Sequence, residues 1–365
     1  MPFFYRIDST TVAGQRTAAR LLELSAHLDA QLPRRTISET LLLATWNIRE
    51  LDSNKYGQRT AESLSYIAEI LSRFDVIAVQ EVRSDLAALM KVLDRLGSWW
   101  KCVFSDVTEG SRGNQERMAF IYDSRKLVFS GLAGEIVLPP LSMTIADRKG
   151  NRTRIYQPVQ QLARTPHMVG FQAGWFKFSL CTVHIVYGES APDTPERIAE
   201  IRALARFLAD RSEGDDVWSR NMILLGDFNI FSPHNQTFRE IIDAGFTVPK
   251  PLQSLPSNIS GTGRHYDQIA FKCTREMAPT EEERCGVLDL FSVLYRDEDE
   301  ATYAPEMGQA YLKTSRGEVR DAAQRRRYYH AWRTFQLSDH LPMWAEVQID
   351  FGAEYLRRRA GLTAV

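Results

Sequence analysis

The stretch Asn221–Asn229, with the sequence NMILLGDFN, has the pattern of a buried β-strand that ends in polar groups. Its apolar run is long enough for a buried strand and too short for a helix. Gly226 interrupts the run, and Asp227 and Asn229 follow two positions apart. Because side chains alternate along a strand, we expect these two polar side chains to point the same way. Taken alone, the stretch fits a site for a hydrated divalent cation and a phosphate as well as it fits an Asx turn that closes the strand.

Two further apolar runs end in the same way. Leu41–Trp46 is followed by Asn47, and Val76–Gln80 is followed by Glu81. Each run has the length of a strand and lacks the periodicity of a helix. The recurrence of a polar residue at the end of a buried strand favours a site over a chance turn.

Helical periodicity separates these strand-like runs. The spacing of Leu64, Ile67 and Leu71 predicts one helix, and a second is expected from a Ser84 cap to Gly97. Glycine is the common residue just past the end of a helix. Strand, helix, strand and helix in succession predict an α/β fold.

The later part of the chain is richer in strands. Met168–Val186 predicts a β-hairpin whose second strand carries His184, and further strands are expected over Tyr266–Phe271 and Pro342–Ile349. Thr194-Pro195 predicts the start of a helix, because threonine caps helices and proline is favoured at their first position.

Composition excludes several classes of protein. Hydrophobic residues make up 44% and charged residues 25% of the 365 residues, as in ordinary globular proteins. No run of about 18 apolar residues predicts a transmembrane helix, and the N-terminus does not resemble a signal peptide. The four cysteines are widely spaced without a CxxC pair, which favours a cytoplasmic protein over one built on disulfides or zinc. With a net charge of -1, nucleic-acid binding must rest on local patches.

Residues 1–40 predict an N-terminal helical extension. Ser9-Thr10-Thr11 can cap a helix, and the apolar stripe that follows ends before Pro33. The stripe consists of Leu21, Leu24, Leu28 and Leu32. We favour packing of this stripe on the main domain, and a homo-oligomer formed through this helix is the alternative.

A polar segment between Tyr295 and Phe335 holds an acidic run, Asp297–Glu300, and a basic run, Arg325–Arg327. Weak helical signals lie near its end. We favour a solvated face for these charges, and a basic arm that touches the substrate is the alternative.

The polar residues at strand ends include the ligand types that magnesium prefers. A few carboxylates suffice, because Mg²⁺ keeps several of its waters, and Glu81 with Asp339 or Asp227 would meet that need. Two histidines at strand ends, His184 and His340, can move protons near neutral pH. Glu116 and Asp267 are the acids expected to orient them.

These motifs together resemble those of the endonuclease/exonuclease/phosphatase superfamily and, within it, the deoxyribonuclease-I-like branch. The resemblance extends from Leu41 to Ile349, and its most diagnostic part is Gly226–Asn229. The other matching motifs are Asn47–Arg49, Gln80–Arg83, Glu116-Arg117, Thr182–His184, Ala163–Pro166, Tyr266–Ile269 and Ser338–Pro342. One departure is that Asn114-Gln115 stands where that branch places a groove-stacking tyrosine.

The resemblance implies a four-layer α/β sandwich, in which two packed mixed β-sheets are flanked by helices. It implies a catalytic domain over residues 41–349 with a polar insertion at about 295–335, followed by a C-terminal tail over 350–365. Strand ends that meet at one edge would collect the motif residues into a single cleft.

The resemblance also implies a role for each residue. Mg²⁺, or Mn²⁺ or Ca²⁺ in its place, is expected at Glu81 and Asp339, with Asn47 and Asp227 as further ligands. His340, oriented by Asp267, would take a proton from the attacking water, with Asp227 as the alternative activator. His184, oriented by Glu116, would protonate the leaving oxygen. The expected phosphate contacts are Asn47, Arg164 and Asn229, and the expected substrate contacts are Arg49 and Arg83.

The expected function is that of a metal-dependent endonuclease with nucleic acid, most simply DNA, as its substrate and no membrane partner. Two alternatives remain open. One is a phosphatase or phosphodiesterase that acts on a small molecule or a lipid headgroup. The other is a non-catalytic binding protein on the same fold.

Overall fold

A computed structural model describes residues 2–51, 55–109, 112–147, 149–215, 217–259, 263–273 and 284–362. The described strands are β1 (Thr40–Leu51), β2 (Val76–Arg83), β3 (Trp100–Phe104), β4 (Glu116–Asp123), β5 (Val128–Glu135), β6 (Leu141–Ala146), β7 (Arg152–Gln157), β8 (His167–Ala173), β9 (Phe176–His184), β10 (Met222–Asp227), β11 (Asp267–Lys272), β12 (Cys285–Val287) and β13 (Met343–Gln348). The described α-helices are α1 (Val12–Gln31), α2 (Ala61–Leu71), α3 (Ala87–Leu96), α4 (Pro195–Glu213), α5 (Gln236–Asp243), α6 (Glu300–Leu312), α7 (Ala322–Gln336) and α8 (Gly352–Arg359).

Two large mixed sheets pack face to face. The first has the order β12-β13-β1-β2-β4-β3, and the second has the order β11-β10-β9-β8-β5. Each contains one parallel pair at its centre, β1 with β2 and β9 with β10, among antiparallel neighbours. Helices cover the outer faces of both sheets. The predicted four-layer α/β sandwich is therefore confirmed.

The central strands are buried on both faces, which explains their continuous apolar runs. Leu43 and Ala78 of the first sheet share the inner core with Leu180 and Ile223 of the second. The alternate residues of the first sheet, such as Ala44, pack instead among the helices α1, α2 and α3. A strand that is covered by a sheet on one side and by helices on the other has no face in contact with solvent, so its sequence does not alternate between apolar and polar residues.

The predicted N-terminal helix is present as α1, with Thr11 as its cap. The Thr11 side chain accepts a hydrogen bond of 3.0 Å from the backbone N–H of Gly14. The leucine stripe packs against α2, as favoured above. Arg16 of α1 also lies 2.6 Å from the buried carboxylate of Glu62 on α2, so a charged contact fixes the same interface.

The polar segment after Tyr295 is folded against the first sheet. Its acidic and basic runs pair with each other, since Arg326 lies 3.3 Å from both Asp297 and Glu300. Asp297 also lies 2.7 Å from Arg333, further along α7. The inner side of α7 buries Tyr329 and Trp332. The prediction of a solvated face therefore holds only for the outer side of this segment. The basic residues that pair with acids of the same segment do not form a separate arm.

Three local predictions were wrong. Ser84 is not the cap of α3, because that helix begins at Ala87 and Asp85 accepts the backbone N–H of Ala87 at 2.9 Å. Strand β1 does not end at Asn47, and β2 does not end at Glu81. Both strands continue past these residues through an irregularity in their pairing, with Glu81 in the left-handed region at φ 60°.

The sequence analysis did not predict several elements: β5, the two-stranded ribbon of β6 and β7, and helices α5 and α6. The four cysteines are free thiols. Among the described residues, none of the helices has both the length and the apolar character needed to cross a bilayer.

Candidate active site

The predicted site residues converge at one edge of the sandwich, where strands of both sheets end or become irregular. Asn47 comes from β1, and Asp227 is the last residue of β10. Nδ2 of Asn47 donates to Oδ2 of Asp227 at 3.0 Å across the gap between the sheets. Both side chains are buried. The two sheets are thus joined at this edge by a polar contact.

The first histidine pairs with an acid, as expected. Nδ1 of His184 lies 2.9 Å from Oε2 of Glu116, and Nε of Arg164 lies 2.9 Å from the same oxygen. Burial works to raise the pKa of Glu116, but His184 and Arg164 outweigh it and hold the pKa at about 2. Burial and Arg164 work to lower the pKa of His184, and the contact with Glu116 and the nearby Asp227 raise it overall. The pair therefore favours a charged imidazole beside an ionised carboxylate.

The second histidine is paired in the same manner. A hydrogen bond of 2.7 Å joins Nδ1 of His340 to Oδ2 of Asp267. The backbone of His340 is fixed on both sides, because its N–H donates to Ser338 and its carbonyl accepts from Trp46. Burial works to lower the pKa of His340, but Asp267 and Asp227 raise it well above the ordinary value.

Asp227 lies between the two histidines. Its Oδ2 is 3.6 Å from Nε2 of His184 and 3.7 Å from Nε2 of His340. The approach of β10 to β9 depends on Gly226, whose φ is 134° and where a Cβ would lie 2.3 Å from the carbonyl oxygen of Val183. A side chain at position 226 would push the strands apart and move Asp227.

Asn229 enters the site by a turn, and the argument from strand alternation does not apply to it. Strand β10 ends at Asp227, and Asn229 has a φ of 53°. Its N–H donates to Oδ1 of Asp227 at 2.9 Å, which is the Asx turn considered above. Its Nδ2 donates to the carbonyl of Ile185 at 2.8 Å. The Asx turn and the site are therefore compatible, because the turn positions the side-chain amide of Asn229 in the site.

Glu81 and Asn47 present oxygen atoms that suit a hard cation. Oε1 of Glu81 accepts from Nδ2 of Asn47 at 2.9 Å, and Oε2 accepts from the N–H of Glu50 at 2.8 Å. Oδ1 of Asn47 is buried and has no hydrogen-bond partner among the residues that the structure describes. A divalent cation that favours oxygen would satisfy that atom, so these residues fit Mg²⁺.

One cluster of metal-type donors shares Glu81 with the predicted ligands. Ligand atoms of Glu81, Glu116 and His184 all lie within 4.8 Å of one another. Asp339 does not belong to that cluster within the described part of the chain. Its carboxylate is 38% exposed and lies 3.9 Å from Nε of Arg49. Its place as a metal ligand stays a prediction.

The two arginines expected to contact substrate are both anchored by the protein. Arg49 donates to the hydroxyl of Thr334 on α7. Arg83 donates to the carbonyl of Asn114 and lies 3.7 Å from the carboxylate of Glu50. Both stay partly exposed, so their guanidinium groups are held at the rim in fixed positions.

Arg197 is a functional candidate that the sequence analysis missed. It has no exposed surface, although it lies one turn into α4. Its guanidinium donates to the carbonyls of Val186, Ala191 and Pro192 at 3.3, 3.0 and 3.2 Å. It thereby holds the segment that follows His184. An arginine near a helix start usually faces solvent, so no sequence pattern distinguishes this one.

Paired histidines that share one aspartate, at the edge of two packed sheets, define a class of site suited to phosphate-ester chemistry. The chain belongs to the Endonuclease/Exonuclease/phosphatase family, which matches residues 44–340. It is 28% identical to the Deoxyribonuclease of Thioalkalivibrio sp. (strain K90mix) over 56% of this chain and only 50% of that protein. It is 29% identical to Deoxyribonuclease-1 of Homo sapiens over 59% of this chain and 67% of that protein.

The fold is also similar to a solved structure. An endonuclease/exonuclease/phosphatase family protein from Bacteroides thetaiotaomicron superimposes with a TM-score of 0.52 and 16% identity. The match covers 86% of this chain and 97% of that one. At that identity the likeness concerns the fold alone.

Proposed function

We propose that this protein is a divalent-metal-dependent phosphodiester hydrolase and that its substrate is nucleic acid, cleaved internally as by a deoxyribonuclease. The observation that carries the proposal is the shared aspartate. Both histidines place Nε2 within 3.7 Å of one oxygen of Asp227, and a buried acid backs each of them. The relatives named deoxyribonucleases support the choice of DNA.

The two histidines can divide the proton transfers of hydrolysis. His340, held by Asp267, takes a proton from the water that attacks phosphorus. His184, held by Glu116, gives a proton to the oxygen that leaves as its bond to phosphorus breaks. Asp227 is the alternative acceptor of the water's proton, since it lies close to both rings.

The remaining polar side chains stabilise charge on the phosphate. Arg164 and Asn229 are the proposed donors to its non-bridging oxygens. Asn47, the third residue expected to contact the phosphate, already donates both hydrogens of its Nδ2 to Glu81 and Asp227, so we assign it to the cation through Oδ1. Glu81 and Oδ1 of Asn47 would hold the cation, with Asp227 and Asp339 as further ligands. When bound, Mg²⁺ would polarise the phosphate and add positive charge to a site in which Asp267 and Asp227 otherwise favour the protonated form of His340.

The test is nicking of supercoiled plasmid DNA in the presence of Mg²⁺, with EDTA as the first control. His184→Ala and His340→Ala should each lower the single-turnover rate by about 100-fold or more, the usual contribution of acid–base catalysis. His27→Ala, on the distant helix α1, is the matched histidine control and should keep the wild-type rate. Nicking that survives EDTA or either active-site substitution would contradict the proposal.

The same experiment separates the alternatives. Hydrolysis of bis(p-nitrophenyl) phosphate without nicking would point to a small-molecule or lipid-headgroup substrate. Failure on both substrates would favour a binding protein on this fold.

A further inference from the structure

The ribbon of β6 and β7 stands apart from both large sheets. Within the described residues these two strands pair only with each other. Every residue of Leu141–Ala146 and Arg152–Gln157 is exposed. An isolated two-stranded ribbon with no covered face is only marginally stable in water. Its exposed side chains are therefore available to contact a partner.

The two faces of the ribbon differ in chemistry. Cross-strand register places Arg152, Arg154 and Tyr156 on one face, opposite Ala146, Thr144 and Ser142. The other face carries Leu141, Met143, Ile145 and Ile155. Alternate residues on a strand lie about 6 to 7 Å apart. Arg152 and Arg154 are therefore spaced like successive phosphates along one nucleic-acid strand.

Three cationic side chains of this ribbon have no acidic partner within the described residues. Lys149, Arg152 and Arg154 make no ion pair with any residue that the structure describes. The acid of the turn, Asp147, is occupied internally: its carboxylate accepts the backbone N–H groups of Lys149 and Asn151 at 2.8 and 2.9 Å. In a chain of net charge -1, this ribbon is a local basic patch.

The base of the ribbon is tied to the candidate active site. Gln161 closes it by accepting from the N–H of Leu138 at 2.8 Å and donating to the carbonyl of the same residue at 3.1 Å. The chain then reaches Arg164, which contacts Glu116. With six residues in β7, the ribbon extends about 20 Å from that base, a distance that spans several base pairs.

We propose that this ribbon binds the phosphate backbone of a DNA duplex next to the scissile bond, through Arg152, Arg154 and Tyr156. The inference rests on the proposed nuclease function and names the surface that holds its substrate. A two-stranded ribbon fits the major groove, and arginines on one face neutralise phosphates without reading the base sequence. The ribbon therefore adds affinity for DNA and makes that affinity depend on the length of the duplex. The two histidines carry out the proton transfers.

The test compares substitutions on the two faces in the full chain. Arg152→Gln/Arg154→Gln removes the cations, and Met143→Gln/Ile145→Gln is the matched control on the opposite face. Binding to a fluorescein-labelled DNA duplex is measured by anisotropy in EDTA across about 50 to 200 mM KCl. Hydrolysis of bis(p-nitrophenyl) phosphate reports the active site separately.

The arginine variant should bind the duplex about tenfold or more weakly, with a salt slope about 1.8 smaller than that of the wild type. Its hydrolysis of the small phosphodiester should be unchanged, and the control variant should bind like the wild type. Equal affinity and equal salt slope in the arginine variant, with an unchanged circular dichroism spectrum, would overturn the proposal.

Two further outcomes are distinguishable. Binding to phosphatidylcholine–phosphatidylserine vesicles that is lost only in Met143→Gln/Ile145→Gln, together with no effect of the arginines on DNA, would assign the ribbon to a membrane and overturn the proposal. If the wild type neither nicks plasmid DNA nor hydrolyses bis(p-nitrophenyl) phosphate, the proposed nuclease function fails. The comparison of affinities would still decide whether the ribbon binds DNA.

Discussion

Nδ2 of Asn47 donates to Oδ2 of Asp227 at 3.0 Å, and this hydrogen bond links the first sheet to the second beneath the candidate active site. The same Nδ2 donates to Oε1 of Glu81 at 2.9 Å. One amide therefore separates two carboxylates that would otherwise repel each other. It also leaves its own oxygen buried and free for a cation.

Asn47→Asp replaces that amide by a third carboxylate. We expect a loss of about 1 to 3 kcal/mol in unfolding free energy, because Glu81 and Asp227 lose a buried donor and gain a like charge. Plasmid nicking should fall by about 100-fold, as for the loss of one group that stabilises the transition state. Urea unfolding and single-turnover nicking measure the two effects, and unchanged values for both would show that the Asn47 bridge is dispensable.

Glu116→Gln keeps the shape of the side chain next to His184 and removes its charge. The pKa of His184 should fall, because Glu116 raises it against burial and Arg164. The imidazole would then lose the proton that we assign to the leaving oxygen, and the nicking rate at pH 7 should drop by about 100-fold. Glu135→Gln, outside the cleft, is the control. A rate that falls equally in both variants would point to a general effect of lost charge.

Arg197→Lys tests the clamp on the segment after His184. Lysine has three donors on a flexible stem and cannot reproduce a planar fork that meets several carbonyls. We expect a loss of about 2 kcal/mol or more in unfolding free energy, the usual worth of a buried hydrogen bond to a charged group. The matched control is Arg202→Lys on the same helix, whose exposed side chain pairs with Glu240, so its loss in unfolding free energy should be clearly smaller. Chemical denaturation measures both, and similar losses would argue against the clamp.

His167 predicts a pH dependence of stability that is separate from the active site. Its ring is buried beside Phe120, and burial lowers its pKa from 6.5 to about 4. The unfolded chain therefore takes up the proton first as the pH falls. The stabilisation is complete above pH 6.5 and is lost progressively toward pH 4.

The expected loss from this residue over that interval is about 3 kcal/mol, since each unit of pKa difference is worth about 1.4 kcal/mol. His167→Phe keeps an aromatic ring that cannot titrate and should flatten the curve of unfolding free energy between pH 7 and pH 4 by that amount. Urea denaturation at a series of pH values measures it. A variant curve parallel to that of the wild type would show that His167 is not the group responsible.

Local pattern was sufficient for the framework of this protein. The apolar runs that end at Asn47, Glu81 and Asp227 are continuous because their strands are covered on both faces. In an α/β chain, a short apolar run of this kind is most simply a buried strand. The two histidine–acid pairs followed from the motif resemblance, and the structure brings all four residues together as expected.

Interactions between distant parts of the chain could not be found in this way. The bond between Asn47 and Asp227 joins residues 180 positions apart, and the burial of Arg197 depends on where the segment after His184 runs. The place of Asp339 beside Arg49 depends likewise on how α7 packs, because Arg49 donates to Thr334 of that helix. The exposure of the ribbon could not be predicted, because the alternation of Leu141–Ala146 is also that of a half-buried strand, and only the structure shows that neither face is covered.

The sequence by itself determined the α/β class of the fold, because burial and periodicity are local properties of a strand or a helix. The resemblance of its motifs to a known family identified the residues that meet. Only the tertiary structure decided which oxygen faces which nitrogen, which arginine is buried and which strands remain uncovered. Those outcomes depend on strand register and on the packing of one layer against the next, and both are set by contacts between segments far apart in the chain.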